Sequence, residues 1–283
     1  MDAPSAKASE MSADPRFEEA LLTEEVRAGA AFLAACTGED AHDVLVVLGS
    51  GLAQTLDAPP SEGGWGEPRV RLALDEIPGV LAPVADGHVS ELRSYTRAGQ
   101  RILVALGRTH LYEGVTPLQV TALARIAAAA GVQRAVLCNA NGCLRDWNLG
   151  EVMVIRDHLN FSGSSPFNGP LFLDIMGVWD PELSALAQAV CERVGTYALM
   201  RGPEYQTMAE SRWLAAAGAD CVGMSTIIEA ITLHALGVRV CGMSVVSDLS
   251  FADGPTDPQA VVEAASHAAM TLRTALERVL NAQ

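Results

Sequence analysis

The run Val44–Leu48 reads VLVVL and passes without a polar break into Gly49-Ser50-Gly51. Five apolar residues in a row leave no face for water, so the run predicts a strand covered on both sides. The tight glycine turn that follows is the usual strand exit of an α/β sheet. Further apolar runs predict strands over residues 92–96, 101–106, 134–138, 151–156, 195–200 and 238–246. Between and around them, helical spacing predicts helices over residues 17–36, 117–130, 181–194, 208–217, 227–236 and 257–282. The Gly- and Pro-rich residues 57–68 and the stretch 157–172 read as loops, the second long enough to be functional. Alternating strands and helices predict a single α/β domain over residues 16–283. Residues 1–15 are small and polar without periodicity and predict a disordered tail.

Charge narrows the partners. A formal net charge of -15 argues against nucleic acid and against an anionic membrane surface. No apolar run approaches the ~18 residues of a bilayer span, and the N-terminus has no apolar leader segment. A cytoplasmic protein is the expectation. Six cysteines form no C-x-x-C pair. Most sit in apolar surroundings, as Cys138 does in AVLCNA and Cys241 in VRVCGMS, and predict small buried hydrophobes in a reducing compartment. The histidines are scattered, with no H-E-x-x-H or H-x-x-x-H, so no metal set is expected.

Ligands of open α/β sheets sit at the carboxyl ends of strands, which singles out GSGL at Gly49, GRTH at Gly107, NANG at Asn139, GPEYQT at Gly202, GMST at Gly223 and SDLS at Ser247. The Gly49 turn offers backbone N–H groups and the Ser50 hydroxyl to an anion, or is simple turn geometry; it is neither G-x-G-x-x-G nor a Walker A loop. Arg108 and His110, two apart after a strand, can meet one oxyanion or form a solvated rim. His88 carries the same ambiguity. Ser225 and Thr226, with Glu229 after them, read as a helix cap, and a cap with free N–H groups is also an anion site. Tyr112 and Met224 fit a sugar face or the core.

Taken in order, VVLGSGL, GRTHLYEG, NANG, GEVMVIRDHLN, GPEYQT, AGADCVGMST and SVVSD resemble the trimeric purine nucleoside phosphorylases. The resemblance implies a nucleoside phosphorylase-like fold, with a mixed central sheet flanked by helices, and reversible phosphorolysis of a purine nucleoside to free base and ribose 1-phosphate. It implies purine nucleoside and inorganic phosphate as substrates, no cofactor and a homotrimer. It assigns phosphate binding to Ser50, Arg108, His110, the backbone of Ala140 and Ser225, with His88 beside them, and implies that His88, His110 and Asp248 are catalytic. Tyr112 and Met224 would hold ribose, and Tyr205 would stack on the base.

Two departures bear on the substrate. Gln206 stands where 6-oxopurine enzymes of the family carry Glu, and Asp248 where they carry Asn. Guanine and hypoxanthine offer a donor at ring nitrogen 1 and an acceptor at the 6-oxygen; adenine reverses both. A Gln amide can donate to adenine's bare nitrogen, and an ionised Asp accepts from a 6-amino group and repels a 6-oxygen. The pair therefore predicts adenosine-type nucleosides, with Asp248 also placed to share a proton with ring nitrogen 7. Alternatives are an inosine and guanosine phosphorylase, a methylthioadenosine phosphorylase favoured by Pro258 in place of a family His, and a nucleoside-binding regulator without catalysis. Asn141 and Cys143, in NANGC instead of the commoner NAAGG, are expected to reshape the base pocket. Phe161 is the candidate aromatic lent by a neighbouring subunit.

Overall fold

Each predicted strand forms, and together with two short ones they pair into one sheet. The computed structural model describes residues 14–59, 61, 63–85, 88–252 and 258–282. The strands are β1 (Val44–Leu48), β2 (Val70–Ala73), β3 (Glu91–Arg97), β4 (Gln100–Leu106), β5 (Arg134–Cys143), β6 (Val152–Asn160), β7 (Arg193–Leu199), β8 (Cys221–Gly223) and β9 (Arg239–Leu249). Their order is β2-β3-β4-β1-β5-β8-β7-β6-β9, and β9 returns to pair with β5, so the last five strands close into a ring. The sheet is mixed. β1 runs parallel to β4 and β5, and β5 parallel to β9, while β3–β4, β5–β8 and β6–β9 are antiparallel.

The continuous apolar runs are explained by helices on both faces. Leu45, Val47, Leu103, Ala105, Ala135 and Leu137 pack toward α2 (Glu24–Thr37), α4 (Ala122–Ala129) and α7 (Ile227–Ala235). Their neighbours Val44, Val46, Ile102, Val104, Val136 and Cys138 pack toward α5 (Pro181–Gln188) and α8 (Pro258–Leu280). Burying each Val, Leu or Ile among them is worth about 1.5–3 kcal/mol. On α8 the buried positions Ala264, Ala268, Leu272, Ala275, Leu276 and Val279 follow the helical period. Five of the six cysteines are buried and all are free, as their apolar surroundings predict.

The element boundaries differ from expectation where side chains or pairing intervene. The helix expected over residues 17–36 is two, α1 (Pro15–Leu21) and α2, because Leu22 leaves helical geometry and the Thr23 hydroxyl caps Val26 N–H at 3.4 Å. The expected tail lies outside the described residues through residue 13; Asp14 caps α1 and Pro15 begins it. The helix expected over 117–130 breaks at Thr121 into α3 (Pro117–Val120) and α4. The helix expected over 181–194 stops at Gln188, since β7 is already paired with β6 from Arg193. NANG is not a turn: β5 continues through it to Cys143, held by β9, with a bulge between Asn141 and Gly142. β9 likewise runs on through Asp248 to Leu249, and β6 to Asn160. β2 and β8, of four and three residues, had no apolar run to announce them.

Candidate active site

Because β1, β4, β5 and β9 run in one direction, their carboxyl ends open on the same edge, and β8 crosses the end of β5 there through Gly142 and Cys143. A cavity of about 440 Å³ occupies this edge. Ser50, Arg108, His110, Tyr112, Ala140, Asn141, Tyr205, Gln206, Met224, Ser225 and Asp248 all line it. His88 does not, and stands behind Ser50, and Cys143, expected to reshape the base pocket, does not reach the cavity either.

One end of the cavity is rich in donors. Arg108 is 3% exposed, and its Nε lies 3.1 Å from the Glu229 carboxylate. Its Nη1 donates to the Cys138 carbonyl at 2.7 Å, while its Nη2 is buried with no hydrogen-bond partner among the described residues. Gly49 makes room for this side chain, since a Cβ there would come 3.1 Å from Nη1. Gly107, at φ +122°, brings the chain over His88, where a Cβ would come within 2.9 Å of Nδ1. The backbone N–H of Arg108 donates to that Nδ1 at 3.3 Å, so the ring proton is on Nε2 and is donated to Ser50 Oγ at 3.1 Å. Burial, with His110 and Arg108 nearby, pushes the His88 pKa down to about 3, which keeps it in this neutral form. Its role is therefore to occupy a lone pair of Ser50 and turn the hydroxyl proton elsewhere.

His110 is fixed from one side only. Its Nδ1 is 3.0 Å from Glu113 Oε1, which also accepts its backbone N–H at 2.7 Å. Burial, then the Arg108 charge, pushes its pKa down to about 3. Tyr112 stacks on His110 with centroids 4.6 Å apart, and burial raises its hydroxyl pKa to about 12.

Ser225 is presented by a strained turn. Thr226 has φ +78° and ψ −48°, and Ile227 N–H donates to Ser225 O at 2.9 Å, which makes a γ-turn of the rarer hand at a β-branched residue. Glu229 reaches back to accept Thr226 N–H at 3.1 Å, the carboxylate half of the expected capping box. One carboxylate thus holds both the turn and the guanidinium.

The other end carries Gln206 and Asp248. Gly202, at φ +71°, lets its loop pass over Met224 and Tyr112, since a Cβ there would be 3.1 Å from the Tyr112 ring and closer still to the Met224 sulfur. Gln206 immediately precedes Thr207, the cap of α6 (Met208–Ala216), and that cap is a reciprocal pair: Glu210 N–H donates to Thr207 Oγ1 at 3.3 Å and Thr207 N–H to Glu210 Oε2 at 2.8 Å. Tyr205 is 69% exposed and lies at the cavity mouth. Asp248 pairs with Gly142 just past the β5 bulge, where a Cβ would stand 2.8 Å from Ser250 Oγ. Phe161 is outside this cavity and packs on Trp213 at 4.9 Å. The side chain of Pro258 lies outside the described residues.

Asn139, Ser247 and Val222 also line the cavity, unassigned by sequence. A period-2 reading of NANG as strand would have put Asn139 beside Asn141. Among the described residues no three His, Cys, Asp or Glu side chains gather to hold a metal ion, and no helix is long and apolar enough to cross a membrane.

Comparison with known proteins gives one consistent result. Residues 63–281 match the model of the phosphorylase superfamily. Purine nucleoside phosphorylase of Mycobacterium tuberculosis is 42% identical over 241 residues, covering 84% of this chain and 87% of its own. That of Cellulomonas sp is 39% identical over 238 residues, covering 81% and 82%. Among solved structures, Schistosoma mansoni purine nucleoside phosphorylase in complex with adenosine superposes with a TM-score of 0.79 at 26% identity, over 91% of this chain and 96% of that one.

Proposed function

The chain belongs to the phosphorylase superfamily and is an enzyme of its purine nucleoside phosphorylase class, and from that premise we propose that it prefers 6-aminopurine nucleosides such as adenosine. The observation that carries the proposal is that Gln206 and Asp248 line the same cavity as Ser50, Arg108 and Ser225. A nucleoside laid between them would present its base edge to the first pair and its anomeric carbon to an anion at the second group. Gln206 then donates to ring nitrogen 1, and one Asp248 oxygen accepts from the 6-amino group. A 6-oxopurine would set its 6-oxygen against the Asp248 carboxylate and leave that contact unpaired, at roughly 1–3 kcal/mol, while Gln206 would have to turn its amide over to accept from ring nitrogen 1. The schistosome relative solved with adenosine supports the same substrate class.

The chemistry follows from the two ends. A phosphate oxygen forms the bond to the anomeric carbon as the bond to ring nitrogen 9 breaks, and the electron pair leaves with the base. Ring nitrogen 7 takes the proton carried on the second oxygen of an Asp248 carboxyl group, whose first oxygen accepts from the 6-amino group, and Asp248 is left as the carboxylate. The cationic sugar develops beside a bound anion, so positioning and charge supply most of the acceleration. Arg108 Nη2, a buried guanidinium nitrogen without a partner among the described residues, supports the anion's place, as do the Ser50 and Ser225 hydroxyls. Tyr112 and Met224 flank the sugar, and Tyr205 closes on the base. Inorganic phosphate is the co-substrate, and the proposal uses no cofactor.

A homotrimer goes with this proposal. Phe161 is 38% exposed and does not line its own chain's cavity, which fits an aromatic lent to a neighbour's sugar.

The test is free-base release from adenosine, inosine, guanosine and methylthioadenosine, with and without phosphate. Adenosine should lead inosine by about tenfold or more, since each tenfold is about 1.4 kcal/mol. Inosine ahead by that factor would overturn the substrate proposal, and release without phosphate would overturn phosphorolysis.

A further inference from the structure

Four buried side chains tie the base end of the cavity to its anion end by hydrogen bonds that run in one direction. Alternation along β5 puts Asn139 and Asn141 on one face, and Ser244 of β9 is the register partner of Asn139. Asn141 Nδ2 donates to Ser244 Oγ at 2.7 Å, Ser244 Oγ donates to Asn139 Oδ1, and Asn139 Nδ2 donates to Thr226 Oγ1 at 2.8 Å. Thr226 Oγ1 also receives Arg108 Nη1 at 3.4 Å, so its own proton is left for Ser225 Oγ, 3.1 Å away. Ser225 Oγ accepts from Arg108 Nη1 as well, at 3.5 Å. One Nη1 hydrogen is on the Cys138 carbonyl and the other is shared between Thr226 and Ser225, so Ser225, receiving from Thr226 and in part from Arg108, turns its own proton to the cavity.

Asn141 sets this direction. It is 3% exposed, and Ser244 is the partner of its amide. As bonded it leaves Oδ1 without a partner among the described residues. Turned over, it would leave two buried N–H groups unpaired instead, and orphaned buried donors are rarer than under-satisfied carbonyl oxygens. Each link then inherits its direction from the one before, and aligned bonds strengthen one another.

We propose that Asn141, acting through Ser244, Asn139 and Thr226, is a positioning residue for the phosphate step: it holds the Ser225 hydroxyl as a donor to the anion. This rests on the phosphate site proposed above. Asn141→Asp keeps the shape but can only accept, so Ser244 must donate to it, the Asn139 amide turns over, and Thr226 and Ser225 donate backward along the chain. Ser225 then shows lone pairs to phosphate.

The experiment measures KM for phosphate and for nucleoside in Ser225→Ala, Asn141→Asp, Ser244→Ala and both double variants with Ser225→Ala. Asn141→Asp and Ser244→Ala should each raise the phosphate KM about tenfold when Ser225 is present and add little when it is absent, as expected of residues acting through one group. Ser244→Ala, which adds no charge and does not touch the cavity, should leave the nucleoside KM unchanged. Equal penalties with and without Ser225 would overturn the relay, since a direct charge effect or a general loosening does not need that hydroxyl. An unchanged phosphate KM in Ser225→Ala would instead overturn the phosphate site itself.

Discussion

Gln206 and Asp248 each differ from a 6-oxopurine reader by one exchange between oxygen and NH2, so the chemistry of preference is reversible in principle. Gln206→Glu with Asp248→Asn should move the adenosine-to-inosine ratio of kcat/KM toward inosine by about 10- to 100-fold, the range set by one or two unpaired buried groups. Competing the two nucleosides in one reaction measures it directly, and an unmoved ratio would show that these side chains do not read the purine edge. His88 makes a second residue-scale prediction. Its Nε2 proton is committed to Ser50 Oγ and its Nδ1 to the Arg108 N–H, so it acts through Ser50 without reaching the cavity. His88→Ala should raise the phosphate KM by about five- to tenfold, and the same change in a Ser50→Ala background should add little.

At the scale of elements, Glu229 joins three things: the N-terminus of α7, the γ-turn that presents Ser225, and the Arg108 guanidinium. Removing it leaves a buried Arg uncompensated and a strained Thr226 without its backbone partner. Glu229→Ala should therefore cost about 3–5 kcal/mol in urea unfolding, with phosphate affinity falling in parallel. A loss under about 1 kcal/mol would mean that the turn holds itself. What could be read of such elements from sequence depended on how local their cause was. VLVVL declares a doubly covered strand by itself, and the turns after β1 and β4 follow from their glycines. NANG did not declare itself a strand, because its pairing partner lies about a hundred residues on, in β9. Gln206 and Asp248 were legible through resemblance, but the Asn141–Ser244–Asn139–Thr226 chain was not. Its members are small polar residues on three separate segments, and only the fold brings them together. The pair Thr207 and Glu210, by contrast, is a local signal, legible as S/T-x-x-E.

For the whole molecule, acid sets two opposing tendencies. A formal net charge of -15 means self-repulsion that protonation relieves, which favours the folded state as pH falls. Against it stand buried and half-buried imidazoles. His88 and His110 are held near 3, and burial also lowers His42 and His158. Their folded pKa values lie below the ordinary value of about 6.5, so the stability tied to the neutral rings is fully present above that pH. As pH falls from there toward about 3, the unfolded chain takes up protons that the folded chain refuses, and each unit of separation at each ring costs about 1.4 kcal/mol. Carboxylates enter later. Arg193 holds Glu151 at about 2, and Arg101 lowers Asp43, so their contributions are lost only below about pH 4. Surface repulsion is screened over ~8 Å in physiological salt, whereas ring burial is not. The urea midpoint should therefore decline already between about pH 6.5 and 5, before any carboxylate titrates. Imidazole proton shifts followed by NMR over the same range should stay near neutral-ring values for His88 and His110. A midpoint that rises toward pH 5 would mean that charge relief outweighs the buried rings, and rings that titrate near 6.5 would mean that the anion end of the cavity admits water freely.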